Sequence, residues 1–320
     1  MQWYKEVEII PLQRRYTRSE RIALWGSCFA EELQRYLYRQ LYRCSFSPYG
    51  IIYNPISMAK GLEMVLDNKE TTATQLFEHM GRWHSPMHHG SFSDTSPERT
   101  LARIQASFEK ASAEVKETKL WVFTFGTSYI YEWADAPHEV VNNCHQLPSS
   151  YFRRRRVTVE EIVTQWQPLI GRLTALGAEV IFTVSPIPHY RDGAHDSRLS
   201  KAVLLLAIDR LADIDGVHYF PSYEIQLDEL RDYRFFREDM AHPTQQAVAH
   251  ILSRFQNYAL VSDLDFDRRW HPLRKLAEHR PLTTDPQLLA RHYDTLRLKL
   301  TTFAQEHPHP YLEELIKPLD

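Results

Sequence analysis

The chain is poor in cysteine. It has three in 320 residues, Cys28, Cys44 and Cys144, too few and too unevenly spaced for a disulfide framework. A reducing, cytoplasmic setting is the expectation that follows. Long apolar runs are missing too, and none approaches the roughly 18 residues that span a bilayer. The opening Met1-Gln2-Trp3-Tyr4-Lys5-Glu6 has no basic flank leading into an apolar stretch, so no secretory signal is expected. Nor does charge of one sign dominate. The 38 Lys and Arg against 41 Asp and Glu leave a net charge of −3, which gives no general attraction to nucleic acid or to an anionic membrane. No internal repeat is found. What remains is an ordinary globular composition, 43% hydrophobic and 25% charged, on a chain long enough for a sizeable core.

Strand and helix patterns alternate along the first 260 residues. Arg21 to Trp25 reads as a short buried strand that stops at Gly26-Ser27. Phe29, Leu33, Leu37 and Leu41 then recur every four residues, one face of a helix. After a turn at Pro48-Tyr49-Gly50, Pro55 opens a second helix. Leu120 to Phe125 is a strong strand ending at Gly126-Thr127-Ser128. Val159 to Leu176 is a helix closed by Gly177, Ala178 to Val184 a strand, Leu199 to Asp213 a helix, Val217 to Phe220 a short strand, and Thr244 to about Tyr258 a last helix. Residues 67–98 and 127–156 show little regular pattern and read as irregular segments, with Arg153 to Arg156 as a solvated basic entrance to the next helix. This order predicts an α/β fold with a parallel sheet covered on both faces, in a domain over 1–260. Residues 261–320 show no strand pattern, and the long helical stretch from Pro286 to Gln305 predicts a helical C-terminal extension. It is expected to pack on the domain or on a second copy of the chain, so these helices are a candidate homo-oligomer contact.

Chemistry gathers at the strand ends. Ser27 falls at the carboxyl end of a strand and the amino end of a helix, where open α/β sheets place their sites and where helix amides suit a developing anion. The plainer reading is that Ser27 only caps the helix. Far along the chain, Asp239 and His242 stand three apart before the last helix. A carboxylate so placed can hold one imidazole nitrogen while the other faces outward. That imidazole can in turn take the proton of a serine hydroxyl. Either signal alone is weak; together, on one α/β domain, they form a distinct pattern.

Gly-Ser after the first strand, Gly-Thr-Ser after a middle strand and Asp-x-x-His before the last helix resemble the SGNH (GDSL-like) hydrolase superfamily. More closely, Gly26-Ser27-Cys28-Phe29-Ala30 resembles the signature of the GSCFA family. The likeness extends through Pro48 to Pro55, Phe125-Gly126-Thr127, Asn143-Cys144-His145, Phe220 to Glu224 and Glu238 to Pro243, over roughly residues 10–255. It implies a three-layer, flavodoxin-like sheet, with Ser27 as nucleophile, His242 as base and Asp239 as its orienter. The activity it implies is that of a serine esterase on a small-molecule or glycan O-acyl ester, with no cofactor. The alternatives are acyl transfer by the same triad, or a catalytically silent binding module.

One departure matters. The superfamily's third block carries an asparagine that donates to the oxyanion, and here the block reads Gly126-Thr127-Ser128-Tyr129. Asn143 is expected to return on the 127–156 segment and replace it, beside the amides of Ser27, Gly50 and Gly126. Asn54, His84, His89, Thr127 and His145 are expected to line the substrate cleft. The histidines and Cys144 lack paired ligand spacing, so no metal is expected. A mechanism through Cys28 would leave Asp239 and His242 without a task.

Overall fold

A computed structural model describes residues 5–279 and 281–319. In chain order the elements are β1 (Arg21–Gly26), α1 (Cys28–Arg39), β2 (Cys44–Phe46), α2 (Pro55–Leu66), β3 (Phe77–His79), β4 (Arg82–His84), α3 (Pro97–Glu114), β5 (Thr118–Phe125), β6 (Tyr129–Trp133), β7 (Val140–Val141), β8 (Phe152–Arg156), α4 (Val159–Ala175), β9 (Glu179–Val184), α5 (Gly193–Leu211), β10 (Val217–Tyr219), the short α6 (Ser222–Glu224), α7 (Gln245–Ala259), α8 (Leu264–Glu278), α9 (Pro286–Glu306) and α10 (Pro310–Ile316). Five strands form one parallel sheet in the order β2-β1-β5-β9-β10. Renumbered within the sheet this is 2-1-3-4-5, the flavodoxin-like order, and the strand order reverses between β1 and β5.

Alternating side chains send successive residues to opposite faces. Ala23, Trp25, Trp121, Phe123, Val180 and Phe182 pack under α2, α4 and α5. Ile22, Leu24, Leu120, Val122 and Ile181 pack under α1 and α7. Both faces are therefore buried, giving three layers as expected. Local chemistry sets the helix ends. The Asn54 side chain accepts from the Ser57 amide ahead of Pro55, and Thr158 and Glu161 cap each other's backbone at the start of α4. Gly177, at φ +75°, closes α4 with its amide on the Thr174 carbonyl.

Three segments differ from the pattern-based expectation. Residues 67–98 contain a hairpin, β3 with β4. Residues 127–156 form a small antiparallel sheet, β7-β6-β8. The arginine run is strand β8 rather than a helix entrance: Arg155 reaches Glu132 and Glu161, and Arg154 lies 4.0 Å over the Tyr129 ring. Short strands of two to five residues carry too little periodicity to be seen, and four consecutive arginines hide the alternation altogether. Edge strand β2 was likewise invisible, being three residues long.

The C-terminal helices turn their apolar side toward this chain's own α1 end. Leu41, Phe266, Trp270, Leu296, Leu300, Phe303, Tyr311 and Leu312 form a third cluster. Trp270 Nε1 donates to the Arg39 carbonyl (2.9 Å) and His309 Nε2 to that of Tyr42 (3.1 Å). Trp270 is fully buried in this cluster. Trp270→Ala is expected to lower stability by about 3–5 kcal/mol, read as a reduced midpoint in chemical denaturation.

Candidate active site

The corner after β1 is set by a close backbone approach. Gly26 pairs with Thr124 across the β1–β5 ladder, and a Cβ on Gly26 would stand 2.4 Å from the Thr124 carbonyl oxygen, at a φ of +146°. Only glycine fits there. Ser27 follows at the N-cap position of α1, yet its side chain makes no capping hydrogen bond. The residue is 1% exposed, and Ser27 Oγ is buried without a hydrogen-bond partner among the described residues. The capping explanation of this serine therefore does not apply.

Asp239 and His242 come together on the segment between α6 and α7. His242 Nδ1 lies 2.6 Å from Asp239 Oδ2. Asp239 Oδ1 accepts from the amides of His242 (2.9 Å) and Ala241 (3.0 Å). These bonds, the His242 amide first, hold the Asp239 carboxyl down at about 2. The tight turn needs Met240 at φ +54°. Both side chains are about half exposed, so the pair is formed but solvated. It is not bonded to Ser27, whose hydroxyl has no partner.

The expected oxyanion group divides. The Gly50 amide donates to the Ser47 carbonyl (3.0 Å) and the Gly126 amide to that of Tyr53 (2.7 Å), so neither is free for an anion. Asn143 Oδ1 accepts from the His145 amide (2.9 Å), holding its own loop. The side chain that reaches toward the first strand's loop is that of Asn142, whose Nδ2 donates to the carbonyls of Ile51 and Met87. Ser27's own amide is the remaining member of the set. A one-residue difference in which asparagine faces inward cannot be read from a loop without periodicity.

The expected cleft residues are mostly engaged in holding the structure. Asn54 is the cap of α2, its Oδ1 on the Ser57 amide (2.7 Å) and its Nδ2 on Ser57 Oγ (3.0 Å). Thr127 Oγ1 meets Ser200 Oγ and accepts from the Tyr129 amide. His84 uses both ring nitrogens, on Ser93 Oγ and the His79 carbonyl. His145 Nε2 donates to the Ser85 carbonyl (2.8 Å) and its ring lies 4.4 Å from that of His84. His89 contacts Ser91 through Nδ1. Among the described residues no group of three or more His, Cys, Asp or Glu is arranged to hold a metal ion. Burial raises the Cys28 thiol pKa, which keeps it protonated and opposes a thiolate mechanism.

One residue of this rim escaped the sequence reading. Lys201 is 2% exposed, and its Nζ donates to the carbonyls of Gly126 (2.8 Å) and Ser185 (2.9 Å). The signal was present: Ser197, Lys201, Leu204, Ile208 and Leu211 share the buried stripe of α5, so a lysine sits where the helix period demands an apolar residue.

The model of the GSCFA family matches residues 21–255, a span from the first strand through most of α7. The chain belongs to the GSCFA family. A search of curated proteins found no match. No helix among the described residues is long and apolar enough to cross a membrane. The family match encloses Ser27, Asp239, His242 and Lys201, and stops short of α8–α10.

The buried histidines of this GSCFA protein carry a pH signature. Burial lowers His88 from 6.5 to about 3 and His145 to about 4. Both are neutral in the fold, whereas the unfolded chain takes up protons near 6.5, so their contribution is full above that pH and is lost as pH falls toward 4 and below. The thermal midpoint is expected to drop steadily from pH 6.5 to 4.5. His88→Gln should make that drop shallower, as followed by circular dichroism at a series of pH values.

Proposed function

We propose that this protein is a serine hydrolase of the SGNH type that cleaves a small O-acyl ester through an acyl-enzyme. The observation that carries the reading is a hydroxyl with no structural task. Ser27 stands at the sheet's reversal point and at the N-terminus of α1, and its Oγ neither caps the helix nor bonds a neighbour. The preformed Asp239–His242 pair supports it, as does the order of the sequence blocks. In this mechanism Ser27 Oγ attacks the ester carbonyl carbon while His242 Nε2 takes its proton. Asp239 holds Nδ1–H and steadies the imidazolium. The negative oxygen of the tetrahedral intermediate faces the Ser27 amide and the positive end of α1. Collapse breaks the bond to the alcohol, which leaves with the proton from His242; water then repeats the sequence and frees the acid. His242 Nε2 is not bonded to Ser27 Oγ in the resting structure, and catalytic hydrogen bonds that tighten only with substrate are common. An O-acetyl group on a carbohydrate is the substrate we favour, and an acceptor hydroxyl in place of water would make the same site a transferase.

A second reading, a binding module without turnover, is favoured by the shielding of Ser27 Oγ from solvent. Hydrolysis of p-nitrophenyl acetate and labelling by a fluorophosphonate separate the two. The wild type should show both, Ser27→Ala should lose labelling and at least about a thousandfold in rate, and His242→Gln roughly a hundredfold or more. Equal rates in wild type and Ser27→Ala would refute the hydrolase.

A further inference from the structure

The corner that follows β5 is gripped from two sides. On one, the Tyr53 carbonyl accepts from the amides of Gly126 and Thr127 (2.7 and 3.0 Å). On the other, α5 supplies Ser200, whose hydroxyl meets Thr127, Ser128 Oγ and the Ser128 amide, and Lys201 on the Gly126 carbonyl. The same lysine ties in the end of β9 through the Ser185 carbonyl. A short relay of backbone bonds then runs to the nucleophile. Lys201 holds Gly126, Gly126 holds Tyr53, and the neighbouring Ile52 amide donates to the Gly26 carbonyl (2.9 Å), one residue before Ser27.

A buried ammonium is costly unless something offsets it. The ionisable groups that act on Lys201 are the Cys28 thiol, from α1 beside Ser27, and the Arg198 guanidinium on its own helix. Neither is a carboxylate. The Tyr223 ring, from α6, lies 5.5 Å from Nζ. A neutral donor or an apolar residue would close α5 onto the sheet at less cost. The cation therefore stands where a fold-only role does not require it, on the carbonyl of Gly126, in the block where the sequence lacks the expected asparagine and within electrostatic reach of Cys28, the residue after Ser27.

We propose that Lys201 is the positioning residue of this site, fixing the ends of β5 and β9 through Gly126 and Ser185 and keeping a positive charge beside the Ser27 corner as the tetrahedral anion forms. The inference rests on Ser27 being the nucleophile. Lys201→Gln keeps donors for the two carbonyls and removes the charge. With p-nitrophenyl acetate it should lower kcat roughly 10- to 100-fold, leave KM within about twofold, and retain the wild-type far-ultraviolet spectrum. A structural pin alone would leave kcat unchanged per site labelled by fluorophosphonate, and that result overturns the proposal.

The wild type supplies a second reading should the variant not fold. Burial lowers the Lys201 pKa to about 7, while burial raises Cys28 and Tyr223. The charge is thus present below pH 7 and lost above it, so kcat should decline as pH rises from 7 to 9. A kcat that keeps climbing through that range overturns the proposal. Turnover that depends on Ser27 but not on Lys201 defeats this inference alone. A wild type with no Ser27-dependent turnover or labelling defeats both it and the hydrolase reading.

Discussion

The structure depends on the contact between Gly26 and Thr124. Two parallel strands meet there with no room for a side chain on the first, and the chain must then leave the sheet. Because α1 begins two residues later, at Cys28, the single residue between them is forced to the rim, at the point where the strand order reverses. Whatever occupies position 27 is presented at a helix N-terminus by backbone geometry alone. The serine there is placed by packing of β1 on β5 and needs no hydrogen bond of its own to stay in place.

That placement separates two kinds of polar group. Most polar side chains near the rim are absorbed by structure: Asn54 caps a helix, Thr127 and Ser200 join a strand end to α5, and His84 and His145 stack within the loops that cover α2 and α3. The Ser27 hydroxyl is buried and unbonded, as is that of Thr124 opposite Gly26. The Asp239–His242 pair is arranged in the opposite sense, bonded internally through Nδ1 and open to solvent. The hydroxyl is held dry and the imidazole wet. In the proposed mechanism the joining of the two would fall to the 231–242 segment, whose residues 231–234 and 237–240 are exposed. A segment with so little burial opens and shifts at low cost.

How legible this was from sequence follows the strength of each periodic signal. The central strands β1, β5 and β9 are apolar and six to eight residues long, and the helices between them repeat at 3.6, so the three-layer sheet could be read directly. The small sheets were lost because β3, β4 and β7 are two or three residues long and β8 is arginine throughout its paired length after Phe152. The corner position of Ser27 and the pairing of Asp239 with His242 were readable because turn position and i,i+3 spacing are local properties. The partners of Gly50, Gly126 and Asn143 were not, since a backbone amide's partner is decided by which loop folds back upon it. Lys201 was visible as a break in the apolar stripe of α5 and was passed over because helix polarity is ordinarily read by its exposed face.

Lys201 and the histidines show how differently burial acts on ionisable groups in one fold. His88 and His145 answer desolvation by staying neutral, and each finds hydroxyl or carbonyl partners that accept a neutral ring. Their burial therefore adds rigidity to the covering loops without adding charge. Lys201 is also pushed toward neutrality, but its two partners are carbonyls, which favour the ammonium. Burial brings its titration down to about 7, where a small change in the surroundings decides whether the charge is present. On the proposed mechanism a negative oxygen forming at the Ser27 corner would be such a change, and it would favour the protonated amine. The charge and the anion would then stabilise each other only while both exist, so that on this mechanism the interaction would strengthen in the transition state rather than in the resting protein.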